Sequence, residues 1–308
     1  MLDARRLRVL YEVARHGSFS AAAEWLGYTQ PAISRQVALL ERETGTTLLE
    51  RRPDGARLTD AGELLVRHAE AILARLQDAE EELGELLGMQ SGRLRMSTLT
   101  SAASTIVPPA ILGFRKRLPG VELSVSVLDP GGVVAALRAG EIDLALTNDE
   151  SHFELAEIEA VHLFDEPLLI ALPNQHPLAG RGVVDLSDLA DERWMLGTTR
   201  SCPDASRFLR ACHGAGFDPK IAFHNDDYTA ILGFVAAGVG VAPVPEMVAR
   251  DAPRHATICQ LRAQALTRPI LASCPAGYRP GPARTMLEIL VEVSRRWVAK
   301  RPPDLMAA

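Results

Sequence analysis

Three polar side chains, Gln30, Ser34 and Arg35, fall within one face of the segment TQPAISRQVALLE, whose other face holds Ile33, Val37 and Leu40. These residue types can read base edges. Glutamine pairs bidentately with adenine, arginine with guanine and serine with either, while Ala32 or the Pro31 ring can touch a thymine methyl. Downstream, Arg51, Arg52 and Arg57 surround a Pro53-Asp54-Gly55 turn and suit phosphates or a minor groove. Taken alone, Gln30 and Arg35 could equally be solvated side chains of a capped helix. A second group is the hydroxyl-rich run Ser97, Thr98, Thr100, Ser101, Ser104 and Thr105, which opens a predicted helix. Free amides and the positive dipole end there would receive an anionic or carboxylate ligand, beyond plain capping by Thr100 or Ser101. Asp226 and Asp227 could meet an amine or hydroxyl, or could simply cap the helix expected from Tyr228.

The elements that must position these groups follow from periodicity. Leu7, Leu10 and Ala14 form a helical stripe that stops at Gly17; Ser18 caps a second helix to Leu26, which stops at Gly27. A third helix follows at once, with Thr29 as N-cap and Pro31 in the first turn, where a missing N–H costs little. Two helices joined by the tight Gly27-Tyr28 turn, with polar groups at the start of the second, have helix-turn-helix geometry. The run LLERRPDGARLTDAG predicts a hairpin wing, and Thr59 then caps a long helix from Asp60 to about Gly88. Leu65, Ala69, Ile72, Leu76, Ala79, Leu83 and Leu86 make a heptad seam on it, which predicts pairing with a second chain.

From Arg93 onward strands and helices alternate, the arrangement of a parallel sheet with crossover helices, in two similar units with a cleft between them. SAASTIVPPAILGFRKRLP is expected as one helix and EPLLIALP as the first strand of the second unit. The boundaries expected are 1–59 for the winged helix-turn-helix, 60–90 for the linker helix, 91–163 with 268–301 for lobe I, 164–267 for lobe II and 302–308 for a flexible tail.

Bulk properties point to an unexported, soluble chain with a basic N-terminal segment. The net charge of −6 is unevenly spread: residues 1–59 carry nine Arg against seven acids, and residues 60–92 two Arg against eight acids. Only the first segment leans positive, as nucleic-acid contact requires. The N-terminal pattern is amphipathic and charged, unlike a secretory leader. No apolar run reaches the roughly 18 residues of a membrane span. The cysteines Cys202, Cys212, Cys259 and Cys274 include no CxxC pair, which fits reduced cytoplasmic thiols and no metal site.

FSAAAEWLGYTQPAISRQVALLERETGTTLLERR and RLTDAGELLV, with GEIDLAL and FVAAGVGVAPVP further on, resemble the LysR-type transcriptional regulators over nearly the whole chain. The resemblance implies an α/β protein with an N-terminal winged helix-turn-helix, a long linker helix and a two-lobed, periplasmic-binding-protein-like effector domain. Thr29, Gln30, Pro31, Ser34 and Arg35 would face the major groove, and Arg51 or Arg52 would serve the wing. It also implies homodimers, often tetramers, that bind interrupted palindromic DNA operators, act through RNA polymerase and respond to a small-molecule effector without a cofactor. The segments that contact effectors in the family fall here on Thr100, Ser101, Pro130, Asn148, Ser201, Cys202, Pro203, Asn225 and Asp226. Some relatives carry arginine where Asn148 stands, and Arg200 could substitute for it. The chain departs from many relatives at Leu49, where they have phenylalanine.

Two other readings follow from the residues. Two α/β lobes can also build an enzyme, yet GxSxG, GxxxxGK[ST] and HExxH are all missing and GVGVAP lacks the GxGxxG context. Cys202 and Cys212, ten residues apart, offer a DNA-binding regulator switched by cysteine oxidation in place of a small ligand.

Overall fold

The computed structural model describes residues 2–52, 55–86, 92–149, 151, 155–197, 203–250, 252, 256–262, 266–277 and 281–301. The chain divides into two compact units, Met1–Ser91 with Ala135–Ile142, and Gly92–Val134 with Asp143–Ala308.

In the first unit, α1 (Ala4–His16), α2 (Phe19–Leu26) and α3 (Gln30–Thr44) pack around Leu7, Leu10, Val13, Ile33, Val37 and Leu40. Gly17 and Gly27 end α1 and α2 in the left-handed conformation, with φ of 64° and 68°, which glycine adopts without a Cβ penalty. Ser18 caps α2 through its side chain. Thr29 occupies the N-cap of α3, but its side chain makes no capping bond. Its backbone carbonyl accepts from Ala32 and Ile33 instead.

The wing is a two-stranded ladder, β1 (Leu49–Arg52) with β2 (Gly55–Leu58), in register from Leu49↔Leu58 to Arg52↔Gly55. Two local devices fix it. Glu41 Oε1 on α3 accepts from the amides of Leu48 at 2.8 Å and Leu49 at 3.3 Å, and Ala56 N donates to Gly17 O at 2.9 Å. Leu49 is 6% exposed and packs into the helical core, so the leucine found in place of the family's phenylalanine is accommodated. Thr59 caps α4 (Asp60–Leu86) with its hydroxyl 3.1 Å from Gly62 N, and the same hydroxyl donates to Thr47 O at 2.7 Å. Along α4 the expected seam starts buried at Ala69 and emerges at Ile72, Leu76 and Leu83, which are 41%, 46% and 60% exposed.

After α4 the chain runs β3 (Gly92–Thr98), α5 (Thr100–Ala103), α6 (Val107–Arg117), β4 (Val121–Val127), α7 (Pro130–Ala139), β5 (Leu144–Thr147) and β6 (Ile158–Pro173), all in the second unit except α7 from Ala135 onward. It continues with β7 (Val183–Val184), β8 (Arg193–Leu196), α8 (Pro203–Gly214), β9 (Lys220–His224), α9 (Tyr228–Ala236), β10 (Ala242–Pro245) and α10 (Glu246–Ala249). Last come β11 (Ala256–Leu261), β12 (Thr267–Pro275) and α11 (Gly281–Val298). The main sheet has the order β4-β3-β5-β12-β6-β11-β7, with β10 also on β6.

The expectation of a parallel sheet holds only in part. β3 is parallel to β4 and β5, whereas β12 is antiparallel to β5 and β6, and β10 and β11 are antiparallel to β6. The chain leaves the first lobe along β6 and returns along β12, so neighbours carrying it in opposite directions must pair antiparallel. β6 is one strand of 16 residues, beginning eight residues before EPLLIALP. Its first part packs on a core of Leu94, Met96, Phe114, Leu146, Ile270 and Met286. Its second part carries Ile170 and Leu172 into a core with Trp194 and Phe208, and Leu169 and Ala171 into another with Ile231 and Val244.

The single helix expected after β3 is two helices. Pro108 and Pro109 cannot lie inside a helix, so they occupy the first turn of α6. α5 consequently ends after four residues. Among the described residues no helix is long and apolar enough to cross a membrane, and no cluster of His, Cys, Asp or Glu has the makings of a metal site.

Candidate functional site

On α3 of the first unit, Thr29, Pro31 and Arg35 are exposed, and Gln30 and Ser34 are half-buried beside them. Gln30 Nε2 donates to Ser34 Oγ at 3.1 Å, which turns the glutamine carboxamide along the helix and leaves its oxygen as an acceptor. Burial of Ile33, Val37 and Leu40 fixes which face of α3 looks outward. The side chains of Arg51 and Arg52 lie outside the described residues; Arg57 on β2 is exposed.

In the second unit a cavity of about 130 Å³ lies between the two lobes. Thr100, Ser101, Asn148, Asn225 and Asp226 line it, which brings together five of the positions singled out in the sequence. Pro203 opens α8, and its successors Asp204 and Ala205 supply the wall there. Similarly Leu128 and Asp129 line the cavity next to Pro130, whose side chain is not described. Arg200, Ser201 and Cys202 lie outside the described residues. Leu99, Val127, Leu168, Met195, Leu196, Ile231 and Pro243 give the cavity apolar walls.

The residues that organise its floor had not been anticipated. Arg268, at the start of β12, is in register with Glu166 on β6. Its Nε and Nη2 donate to Glu166 Oε2 at 2.8 and 2.7 Å, Nη2 donates to Ser101 Oγ at 2.7 Å, and Nη1 is hydrogen-bonded to Asp204 Oδ2. Asp204 Oδ1 accepts from Asn148 Nδ2 at 2.7 Å, and Arg207 Nη1 donates to the Asn148 carbonyl at 3.2 Å. Glu166 Oε1 accepts from Met247 N at 2.6 Å. Burial disfavours the charge on Arg268, but Asp204 and Glu166 outweigh it and hold the guanidinium protonated. Burial likewise pushes the Glu166 carboxyl up, with Arg268 opposing. A lone charge beside an apolar strand, as in TRPILASC and EPLLIALP, was the available signal, but the partners are separated by tens to a hundred residues in sequence.

The hydroxyl run serves mostly internal bonds. Ser97, Thr98 and Ser101 are buried, and Thr105 donates to Ser101 O at 2.8 Å. Asp227 caps α9, accepting from Thr229 N at 2.8 Å, while Asn225 Oδ1 accepts from Asp227 N at 2.7 Å. Of the two aspartates, Asp226 is the one at the cavity. Cys212, Cys259 and Cys274 are buried, and burial pushes the Cys212 thiol up to about 12.

Residues 4–63 match the family model for the bacterial regulatory helix-turn-helix protein, lysR family, and residues 88–295 match the LysR substrate binding domain. The chain belongs to the LysR family of transcriptional regulators. It is a DNA-binding transcriptional regulator with a substrate-binding effector domain, in a family of regulators rather than enzymes. Similar LysR regulators include AlsR of Bacillus subtilis, 30% identical over 79% of this chain and 80% of its own. The dual regulator GltC of the same organism is 33% identical over 82% and 84%. OxyR of Escherichia coli is 29% identical over 96% and 95%. Among solved structures the LysR-family regulator CbnR superposes with a TM-score of 0.68 at 24% identity, covering 95% of this chain and 99% of its own.

Proposed function

We propose that this LysR-family protein reads a DNA operator with α3 and that a small effector bound in the cavity between its lobes controls the outcome. Thr29, Gln30, Pro31, Ser34 and Arg35 enter the major groove, and Arg51 and Arg52 on the wing meet the backbone or minor groove. The observation that carries this reading is the outward face of α3: exposed Thr29, Pro31 and Arg35 flank a Gln30–Ser34 pair on a helix whose opposite face is fully buried. The effector contacts are assigned to Thr100, Ser101, Asn148, Asn225 and Asp226, with Pro130, Arg200, Ser201, Cys202 and Pro203 as further candidates from the family pattern. The exposed seam of α4 pairs two chains as a dimer, which doubles into a tetramer, acts with RNA polymerase and works in the cytoplasm. Control by a Cys202–Cys212 disulfide finds no support in the buried, weakly acidic Cys212 thiol.

Selection from a random duplex pool by the full-length protein tests the DNA reading, with enrichment of two related half-sites expected. On the selected duplex, Arg35→Ala weakens binding by ~1–3 kcal/mol and relaxes choice at one base pair if Arg35 contacts guanine. An unenriched pool, or equal gel-shift affinity of the variant, would count against α3 as the reading head.

A further inference from the structure

We propose that the cavity takes a small ammonium-bearing ligand, a compact amine with an apolar body, rather than a carboxylate. The inference rests on the reading of this cavity as the effector site and adds the chemical class of the effector.

The first observation is charge. The charged residues described in the lining are Asp129, Asp204, Asp226 and Arg268; with Glu166 paired to Arg268 and Arg207 lying 3.8 Å from Asp204, four acids stand against two bases, a formal excess of two negative charges. Arg268 is committed: four hydrogen bonds tie it to Glu166, Asp204 and Ser101. A carboxylate entering here would have to displace one of these bonds and would meet the like charges of Asp129 and Asp226, exposed side chains that line the cavity.

The second observation is independent of charge. Asn148 is 2% exposed and lines the cavity, yet its Oδ1 has no hydrogen-bond partner among the described residues. The orientation of the amide is set by its neighbour, since Nδ2 donates to Asp204 Oδ1 at 2.7 Å and the reversed amide would place two oxygens face to face. A buried acceptor without a donor is costly, and an N–H from a ligand in the cavity that Asn148 lines would relieve it after a small rotation uncovers the oxygen. The helix-dipole argument for an anion loses force at the same place, because α5 has only four residues.

The cavity also limits size. At about 130 Å³ it is comparable to an engineered cavity of about 150 Å³ that holds benzene. Leu99, Val127, Leu168, Met195 and Ile231 suit the carbon skeleton of such a ligand.

The test uses full-length protein and matched four-carbon probes: butylamine and 1,4-diaminobutane against butyrate, succinate and 1-butanol, read by thermal shift and calorimetry at neutral pH. A dose-dependent rise in Tm with either amine, but not with the carboxylates or the alcohol, is expected. Asn148→Ala and the surface variant Asp226→Asn should each weaken the amine by about tenfold. A shift with the carboxylates, an alcohol effect equal to the amine's, no shift with either amine, or an amine shift unchanged in both variants overturns the proposal. Affinity for the selected duplex, measured on the same preparation, separates the outcomes. Retained DNA binding without an amine response sinks only the ligand class, whereas loss of DNA binding sinks the regulator reading.

Discussion

Arg268 shows how much of the second unit depends on one side chain. Its removal in Arg268→Ala leaves Glu166 buried without its counter-charge and Asp204 with only Arg207, 3.8 Å away, and breaking a buried pair in this way costs ~3–5 kcal/mol. Urea unfolding of the variant should show that loss in the midpoint; a change near zero would mean that the two carboxyls simply protonate or hydrate. The thiols make a second prediction at this scale. A thiol at about 12 has roughly one part in ten thousand as thiolate at pH 8. Native protein should therefore lose no more than one thiol per chain to iodoacetamide on the timescale of a free cysteine, and mass mapping should find Cys212 unmodified. The sequence favours buried structural cysteines, as found, but does not disclose the Arg268 cluster. Glu166 and Arg268 are 102 residues apart in sequence and Asp204 and Arg268 are 64 apart; the β6–β12 ladder puts the first two in register, and the start of α8 brings Asp204 to them. Thr100, Ser101, Asn148, Asn225 and Asp226, by contrast, line one cavity at positions that the family pattern singles out in the sequence.

At the scale of elements, what could be read locally was read well. Ser18, Gly17, Gly27 and the buried stripe of α3 are local signals, with consequences inside a few residues of chain. Thr29 marks the limit of that approach: its position is that of an N-cap, but whether the hydroxyl turns inward is decided by its surroundings. The break between α5 and α6 could have been seen in Pro108-Pro109, and the length of β6 could not, because half of it is specified by pairing with a strand a hundred residues on. The LTDAG turn repays a closer look. A Cβ on Gly62 would stand 2.1 Å from the Leu48 carbonyl oxygen, so α4 lies against the wing at a distance that no side chain permits. Gly62→Ala should destabilise the first unit by ~1–3 kcal/mol, the cost of overpacking against a backbone that cannot yield. Thermal unfolding would reveal this, and a wild-type Tm would show that α4 can slide away from Leu48.

For the whole molecule, the apolar seam of α4 bears on assembly. Ile72, Leu76 and Leu83 expose large side chains at heptad spacing on a helix of 27 residues, about 40 Å long. Such a stripe is stabilised by burial at roughly 25 cal/mol per Å² against a second copy. Leu76→Glu combined with Leu83→Glu should convert the proposed dimer to monomer in light scattering and weaken binding to the selected duplex, since two linked reading heads bind more tightly than one. An unchanged mass would place the interface elsewhere.

β6 runs through all three cores described in the second unit without interruption, and the returning chain is tied to it where Leu168 N donates to Leu266 O at 2.6 Å. Pro167 and Pro269, which lack an N–H, stand in the ladder at this same level. A continuous strand resists being pulled or slid, but it twists at low cost, most easily where donors are missing. The lobes are thus joined by a flexure instead of a pin. On the reading proposed above, a ligand in the cavity would load this strand in torsion, and the contact of Arg268 with Asp204 would oppose the twist.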